Sequence, residues 1–327
     1  MSQQSTLGRK MLDGEMPVPG ALTRSLAPGP EGQVRSGRAR RLGDYYRLIK
    51  PGIVYSNVFG TAAGLWLAKG SGAFNDRSPL LIVGTLIGVA LVIASGTVIN
   101  NVIDRDIDQL MERTKNRPIP GGWVSPTAAL VYGLLLGLLG EGLLYALVHP
   151  LAAYTVFVGW AFYVVFYTLW TKRTTTLNTI VGAVSGAIPT VAGYVAYSMR
   201  VDLVAWVLFA ILFLWQPAHF LALAMRRRDD YARAGVPMLP VVYGNGAAKR
   251  QTFIYVLTLV PTTLLLYPLG TVGPMYAVGA LLLGIVYLAL SVRGFRLRGA
   301  EERRWSTQMF GYSIVYLTIL YGLMIFA

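Results

Sequence analysis

Asn100, Asp104 and Asp108 recur at four-residue intervals in the stretch NNVIDRDID. No Gly or Pro separates this stretch from the apolar run before it, so the helix is expected to continue through it. At 3.6 residues per turn the three side chains share one face, while Asp106 points elsewhere. Such a face suits Mg2+, which takes a few carboxylate oxygens and completes its octahedron with water and phosphate oxygens. The alternative is a set of solvated acids at a helix end. Against it, like charges four residues apart repel, and the macrodipole disfavours negative charge at a helix C-terminus. The arrangement therefore costs stability unless a cation offsets it. Arg113, Lys115 and Arg117 follow at once, before a turn at Pro118, Pro120, Gly121 and Gly122. These cations suit phosphate oxygens, and equally the positive flank of any membrane helix.

The elements that position these residues read as membrane helices. The chain has 327 residues, 54% hydrophobic and 13% charged, with a mean hydropathy of +0.53, where soluble domains carry about 25% charged residues. It has no cysteine, which excludes disulfides, thiolate metal sites and a cysteine nucleophile. The net charge of +14 does not indicate nucleic acid, because the basic residues lie between apolar stretches. Nine runs are long enough to cross a hydrocarbon core: 53–68, 80–99, 126–147, 151–171, 180–199, 203–224, 252–270, 273–292 and 307–326. With the N-terminal arm and every second connection on one side, 26 of the 29 Lys and Arg fall there. The expectation is an all-α polytopic membrane protein with nine transmembrane helices, N-terminus cytoplasmic and C-terminus outside. Residues 1–42, rich in Gly, Pro, Ser and Arg, read as a disordered basic cytoplasmic arm, and 43–327 as the membrane domain. Asp13, Glu15 and Glu31 count against a transit peptide in that arm.

Two connections on the basic side, 100–125 and 225–251, are long and chemically dense, so chemistry is expected at the cytoplasmic membrane face. The second carries Arg226, Arg227 and Arg228 beside Asp229 and Asp230. Lys172 and Arg173 end the fourth run, where a topogenic pair also belongs. His219 lies within the sixth run, two residues past Pro217. An ionisable residue inside a membrane helix is a functional candidate, and the alternative is a histidine bonded across helices to Gln216 or Asn178. The charges gather at one membrane face and not at the midplane in broken helices, which argues against the remaining class, a magnesium or heme transporter.

Three stretches carry a family resemblance: NNVIDRDIDQLMERTKNRP (100–118), YTLWTKR (167–173) and WQPAHFLALAMRRRDDYARAGVPMLPVV (215–242). The chain resembles the intramembrane prenyltransferase superfamily related to 4-hydroxybenzoate polyprenyltransferase, over nearly all of its length after residue 44. The third stretch is the most idiosyncratic, and it is similar to the branch that prenylates heme. The resemblance implies nine transmembrane helices, two acidic loops and Mg2+ as cofactor, with Asn100, Asp104, Asp108 and Asp230 as ligands. Many superfamily members carry a second D-x-x-x-D, whereas here Asp229 and Asp230 are adjacent, and Asp230, followed by Tyr231, is the residue expected to face the first motif. Lys172, Arg173, Arg113, Arg117, Arg227 and Tyr167 would then surround the diphosphate of farnesyl diphosphate, and His219 would contact heme b as an axial ligand. The activity implied is farnesyl transfer to a heme vinyl group with addition of water, and a quinone precursor or another aromatic ring is the nearest other acceptor. The implied setting is a bacterial cytoplasmic membrane more than a mitochondrial inner membrane. A downstream heme-modifying enzyme or cytochrome oxidase assembly would use the product.

Overall fold

Prolines fix where several of the apolar runs begin. Pro51, Pro126, Pro150 and Pro274 all open helices, a position where the missing N–H costs nothing. Ser125 caps the helix that Pro126 opens, accepting from the Ala128 amide, and Asp202 caps a further one, accepting from the Ala205 amide. The computed structural model describes residues 42–70 and 78–326. In chain order the helices are α1 (Leu42–Leu48), α2 (Pro51–Lys69), α3 (Ser78–Ile103), α4 (Arg105–Leu110), α5 (Pro126–Leu143), α6 (Pro150–Ala161), α7 (Lys172–Thr174), α8 (Asn178–Ser198), α9 (Leu203–Arg226), α10 (Arg228–Arg233), α11 (Leu239–Val242), α12 (Gly244–Leu264), α13 (Pro274–Arg293) and α14 (Gly299–Phe326). Two π-helical segments, Leu144–Val148 and Phe162–Thr171, prolong α5 and α6. No strand occurs among the described residues. The expected arm lies outside them, apart from its last residue.

Seven helices among the described residues are long and apolar enough to cross a membrane. The other two expected spans coincide with α2, of 19 residues, and α12, of 21. At 1.5 Å per residue these reach about 30 Å. Ser56, Asn57 and Thr61 lower the hydropathy of α2, and Asn245, Lys249, Arg250 and Gln251 that of α12. The seventh run also sits differently from expectation, because α12 starts at Gly244 and stops at Leu264. Pro268 accounts for the stop, since its ring would meet the Leu264 carbonyl in a continued helix. Helix α14 likewise begins before residue 307, its first turn carrying Glu301 and Glu302 where the macrodipole favours acids.

Small residues set the closest helix crossing. A Cβ on Gly64 of α2 would lie 2.0 Å from the Thr190 carbonyl oxygen of α8, and one on Gly193 would lie 2.0 Å from that of Thr61. Gly64→Ala and Gly193→Ala each force backbones apart. Each is expected to destabilise by about 1–3 kcal/mol or more, read as a lower melting temperature of the purified protein; an unchanged melting curve would refute this crossing. The two chemically dense connections pack on each other, Ile107 and Met111 from the first meeting Ala224, Ala234, Val236 and Met238 around the second. That apolar seam holds α4 and α10 against the helix ends.

Candidate active site

Helix α3 ends at Ile103 and α4 starts at Arg105, so the expected continuous helix breaks at Asp104, whose φ is −84° and ψ 3°. The i to i−4 ladder nevertheless survives the break, with Asp104 N to Asn100 O at 2.9 Å and Asp108 N to Asp104 O at 2.8 Å. The three side chains therefore keep one face, and all are buried, Asp104 completely.

Cations offset the repulsion between these acids. Lys172 bonds Asp104 Oδ2, and Asn100 Nδ2 donates to the same oxygen at 2.7 Å. Arg117 donates to Asp108 Oδ2 at 2.7 Å. Arg173 lies 3.8 Å from Asp104 Oδ1 and grips Asp106 with two bonds of 2.7 Å. Arg173 holds the Asp106 carboxyl below the usual carboxylate range even though partial burial opposes it. The sequence expectation set Lys172 and Arg173 against phosphate; in the structure their partners are Asp104 and Asp106.

The π-helical segment before Lys172 explains how that lysine reaches Asp104. Thr168 and Thr171 donate to carbonyls five residues back, Tyr163 O at 2.7 Å and Phe166 O at 2.8 Å, supporting the widened winding that often marks functional sites. Thr168 Oγ1 also accepts from Asn100 Nδ2 at 3.1 Å. Tyr167 stacks on Tyr163, ring centroids 5.8 Å apart, and its ring lies 5.8 Å from the Lys172 ammonium.

Lys50 is a site residue that sequence reasoning missed. Its ammonium donates to Asn100 Oδ1 at 2.6 Å. Its φ of 49° is left-handed, which a non-glycine residue adopts at a cost. Neighbouring bonds hold this backbone in place: Asn101 Nδ2 to Leu48 O at 2.8 Å and Thr97 Oγ1 to Ile49 O at 2.9 Å. Burial, then the nearby Arg117 and Lys172, push the ammonium well below the ordinary lysine value. Its only sequence signal is a Lys abutting the Pro that opens α2.

The remaining candidates divide. Tyr231 joins the site, since burial raises its phenol above the ordinary value while the cations Arg113, Lys172 and Arg117 oppose the shift. Arg113 is exposed. Asp230 is buried but pairs with Arg233 inside α10, and no three Asp, Glu, His or Cys side chains converge on one point among the described residues. Asp230 thus forms no three-acid cluster with Asp104 and Asp108. Arg227, between α9 and α10, has its Nε buried and without a hydrogen-bond partner. His219 stands apart, its Nδ1 2.6 Å from Ser313 Oγ, not on Gln216 or Asn178, and its ring between Trp215 and Phe310 at 4.7 and 4.6 Å. Gln216 instead fills the space over Gly186, where a Cβ would lie 1.7 Å from its Nε2.

The donor set fits Mg2+. Asp104 Oδ1 is buried with no hydrogen-bond partner, and with Asp108 it offers the one or two carboxylates that Mg2+ uses when water and phosphate supply the rest.

Residues 57–314 match the UbiA prenyltransferase family, and the chain belongs to that family. Two relatives are more specific. The protoheme IX farnesyltransferase of Alkalihalophilus pseudofirmus is 47% identical over 304 residues, covering 93% of this chain and 96% of its own. Protoheme IX farnesyltransferase 2 of Bacillus subtilis is 45% identical over 298 residues, covering 90% and 94%. A UbiA homologue from Archaeoglobus fulgidus, solved with GPP and Mg2+, shares the fold with a TM-score of 0.63 at 16% identity, over 87% of this chain and 100% of its own. A digeranylgeranylglyceryl phosphate synthase shares it with a TM-score of 0.71 at 18% identity, over 87% and 97%.

Proposed function

We propose that this chain transfers the farnesyl group of farnesyl diphosphate to a vinyl group of heme b, with addition of water and release of pyrophosphate, giving heme O for cytochrome oxidases. The observation that carries the donor half is the buried face of Asn100, Asp104 and Asp108 ringed by Lys50, Lys172, Arg173 and Arg117. The relatives named protoheme IX farnesyltransferase support the acceptor half.

Breaking the allylic C1–O bond puts negative charge on the departing diphosphate. Groups placed for that charge stabilise the transition state more than the ground state. Mg2+, when bound, would supply electrostatic stabilisation of the leaving group. Asp104 and Asp108 would hold it, with the Asn100 oxygen beside them, and Asp230 is left to its pairing with Arg233 in α10. Lys172 and Arg173 exchange part of their carboxylate bonding for phosphate oxygens, Arg117 and Arg227 flank the same charge, and Arg113 draws the diphosphate in from the surface. Lys50 and Thr168 fix the Asn100 amide, and Tyr167 and Tyr231 wall off water. The vinyl π electrons form the new bond to C1, water adds to the carbon left electron-deficient beside the ring, and a proton is lost. Burial at the membrane face keeps the allylic carbon from water until the alkene reaches it.

His219 is proposed as the axial heme ligand, because Ser313 occupies Nδ1 and leaves Nε2 for iron. His219→Ala is expected to shift the Soret band of the bound heme and weaken its binding; an identical spectrum and affinity would remove the role. The chain is read as nine spans, α2 and α12 included, with the N-terminus inside a bacterial cytoplasmic membrane, the C-terminus outside, and residues 1–42 as a cytoplasmic arm before a 43–327 prenyltransferase domain. Supplied with heme b, farnesyl diphosphate and Mg2+, the purified protein should yield a heme heavier by a farnesyl group plus water. Unchanged heme, with 4-hydroxybenzoate prenylated in its place, would transfer the assignment to the quinone branch.

A further inference from the structure

A second polar cavity opens on the same side of the bundle, away from Asp104 and Asp108. It measures about 180 Å³, and Arg226 at the end of α9, Arg228 at the start of α10, Asn245 of α12, and Glu302 and Arg303 of α14 line it. Its charge is not self-cancelling. Glu302 is already committed, with Lys249 Nζ at 2.5 Å from Oε1 and Asn245 Nδ2 at 2.7 Å from Oε2. Lys249 is only 2% exposed and also donates to Leu297 O at 2.7 Å, so that assembly is a fixed wall. Among the described residues no carboxylate forms an ion pair with Arg226, Arg228 or Arg303. Asp229 is the one other acid on the lining. Three guanidinium groups without an ion-pair partner, Arg226 half-buried and Arg228 and Arg303 exposed at the rim, suit carboxylates.

A row of packed aromatic rings runs from this cavity along α9 and α14. The Arg226 guanidinium lies 5.7 Å from the Phe310 ring, Phe310 packs on His219 at 4.6 Å, and His219 stacks on Trp215 at 4.7 Å with planes 19° apart. Residues 219 and 226 are two turns apart on α9, so the imidazole lies about 10 Å below the cavity on the same helical face. A broad apolar ligand with anionic groups on one edge matches this pairing of aromatic residues and basic cavity. A prenyl chain, apolar throughout, does not.

We propose that the Arg226, Arg228 and Arg303 cavity binds the two propionate carboxylates of the heme acceptor, setting its orientation by its charged edge. The inference rests on heme b being the acceptor. The vinyl groups lie on the opposite edge of the macrocycle, and propionates held here turn that edge away from α12 and α14. Between cavity and donor site runs α10, with Asp229 on the cavity lining and Tyr231 at the cations of the donor site.

The test compares heme b with its dimethyl ester, in which both carboxylates are blocked, using the full chain in nanodiscs. The wild type is expected to bind the free acid about tenfold or more tightly than the ester, the effect of one hydrogen bond to a charged group or more. In Arg228→Gln/Arg303→Gln that preference collapses, while ester affinity and farnesyl diphosphate affinity stay at wild-type values and so report an intact fold. A preference retained in the variant, with heme b still farnesylated, overturns the cavity assignment alone. Loss in the variant of nothing but a dependence on anionic lipid also overturns it, and would make the cavity a headgroup site. A wild type that never farnesylates heme b removes the acceptor reading and this inference with it.

Discussion

Asp104→Ala is expected to lower turnover by about 10³-fold or more and also to destabilise the protein. Removing one preorganised group that serves a developing charge costs about 10²–10³ in rate, and under the proposed function Asp104 would meet the reaction both as a metal ligand and by setting Lys172. The stability loss has a separate origin. The Asp104 side chain is 1% exposed and that of Lys172 13%, so deleting the acid leaves a nearly buried ammonium without its partner, which costs about 3–5 kcal/mol. Asp104→Asn separates the effects, keeping shape and hydrogen bonding while losing the charge. Steady-state rates and melting curves on all variants check this, with Asp108→Ala beside them. Wild-type activity in both alanine variants would remove the metal-diphosphate reading.

Lys172→Ala should cost about 10²–10³ in kcat/KM, with most of the loss in kcat, because the charge it answers appears only as the C–O bond breaks. Lys172→Arg should restore only part, since a planar fork cannot reproduce a point charge in the space that one ammonium occupies. The double variant Asp104→Ala/Lys172→Ala should be more stable than the sum of the single losses predicts, by about 0.5–3 kcal/mol. Strict additivity would mean that the two side chains do not act as a pair. A rise in KM alone would assign Lys172 to ground-state binding.

The acidic face was legible in the sequence because four-residue spacing survives even a break in the helix: Asp104 leaves helical geometry, yet its amide and that of Asp108 still bond one turn back. The apolar runs located the helices for the same reason, since length and hydropathy are local properties. What escaped depends on three-dimensional closure. Lys50 counted as one more cytoplasmic charge, and nothing near it in sequence says that a left-handed turn delivers it to Asn100, fifty positions on. The π-helical winding of Phe162–Thr171 has no periodic signature in so aromatic a run, yet it sets where Lys172 points. The His219 partner was misjudged because Ser313 lies on the last helix, 94 residues away. The starts of α12 and α14 were missed because both begin as polar turns that hydropathy reads as loop.

The most direct measurement is the affinity of the purified protein for farnesyl diphosphate, in nanodiscs and without heme, as Mg2+ is titrated. Tight binding should appear only as Mg2+ is added, and Asp104→Asn/Asp108→Asn should abolish that dependence while the apolar chain still binds weakly. Affinity that is equal with and without Mg2+, or a Mg2+ dependence unchanged in the double variant, would contradict a metal-held diphosphate on the Asn100, Asp104 and Asp108 face.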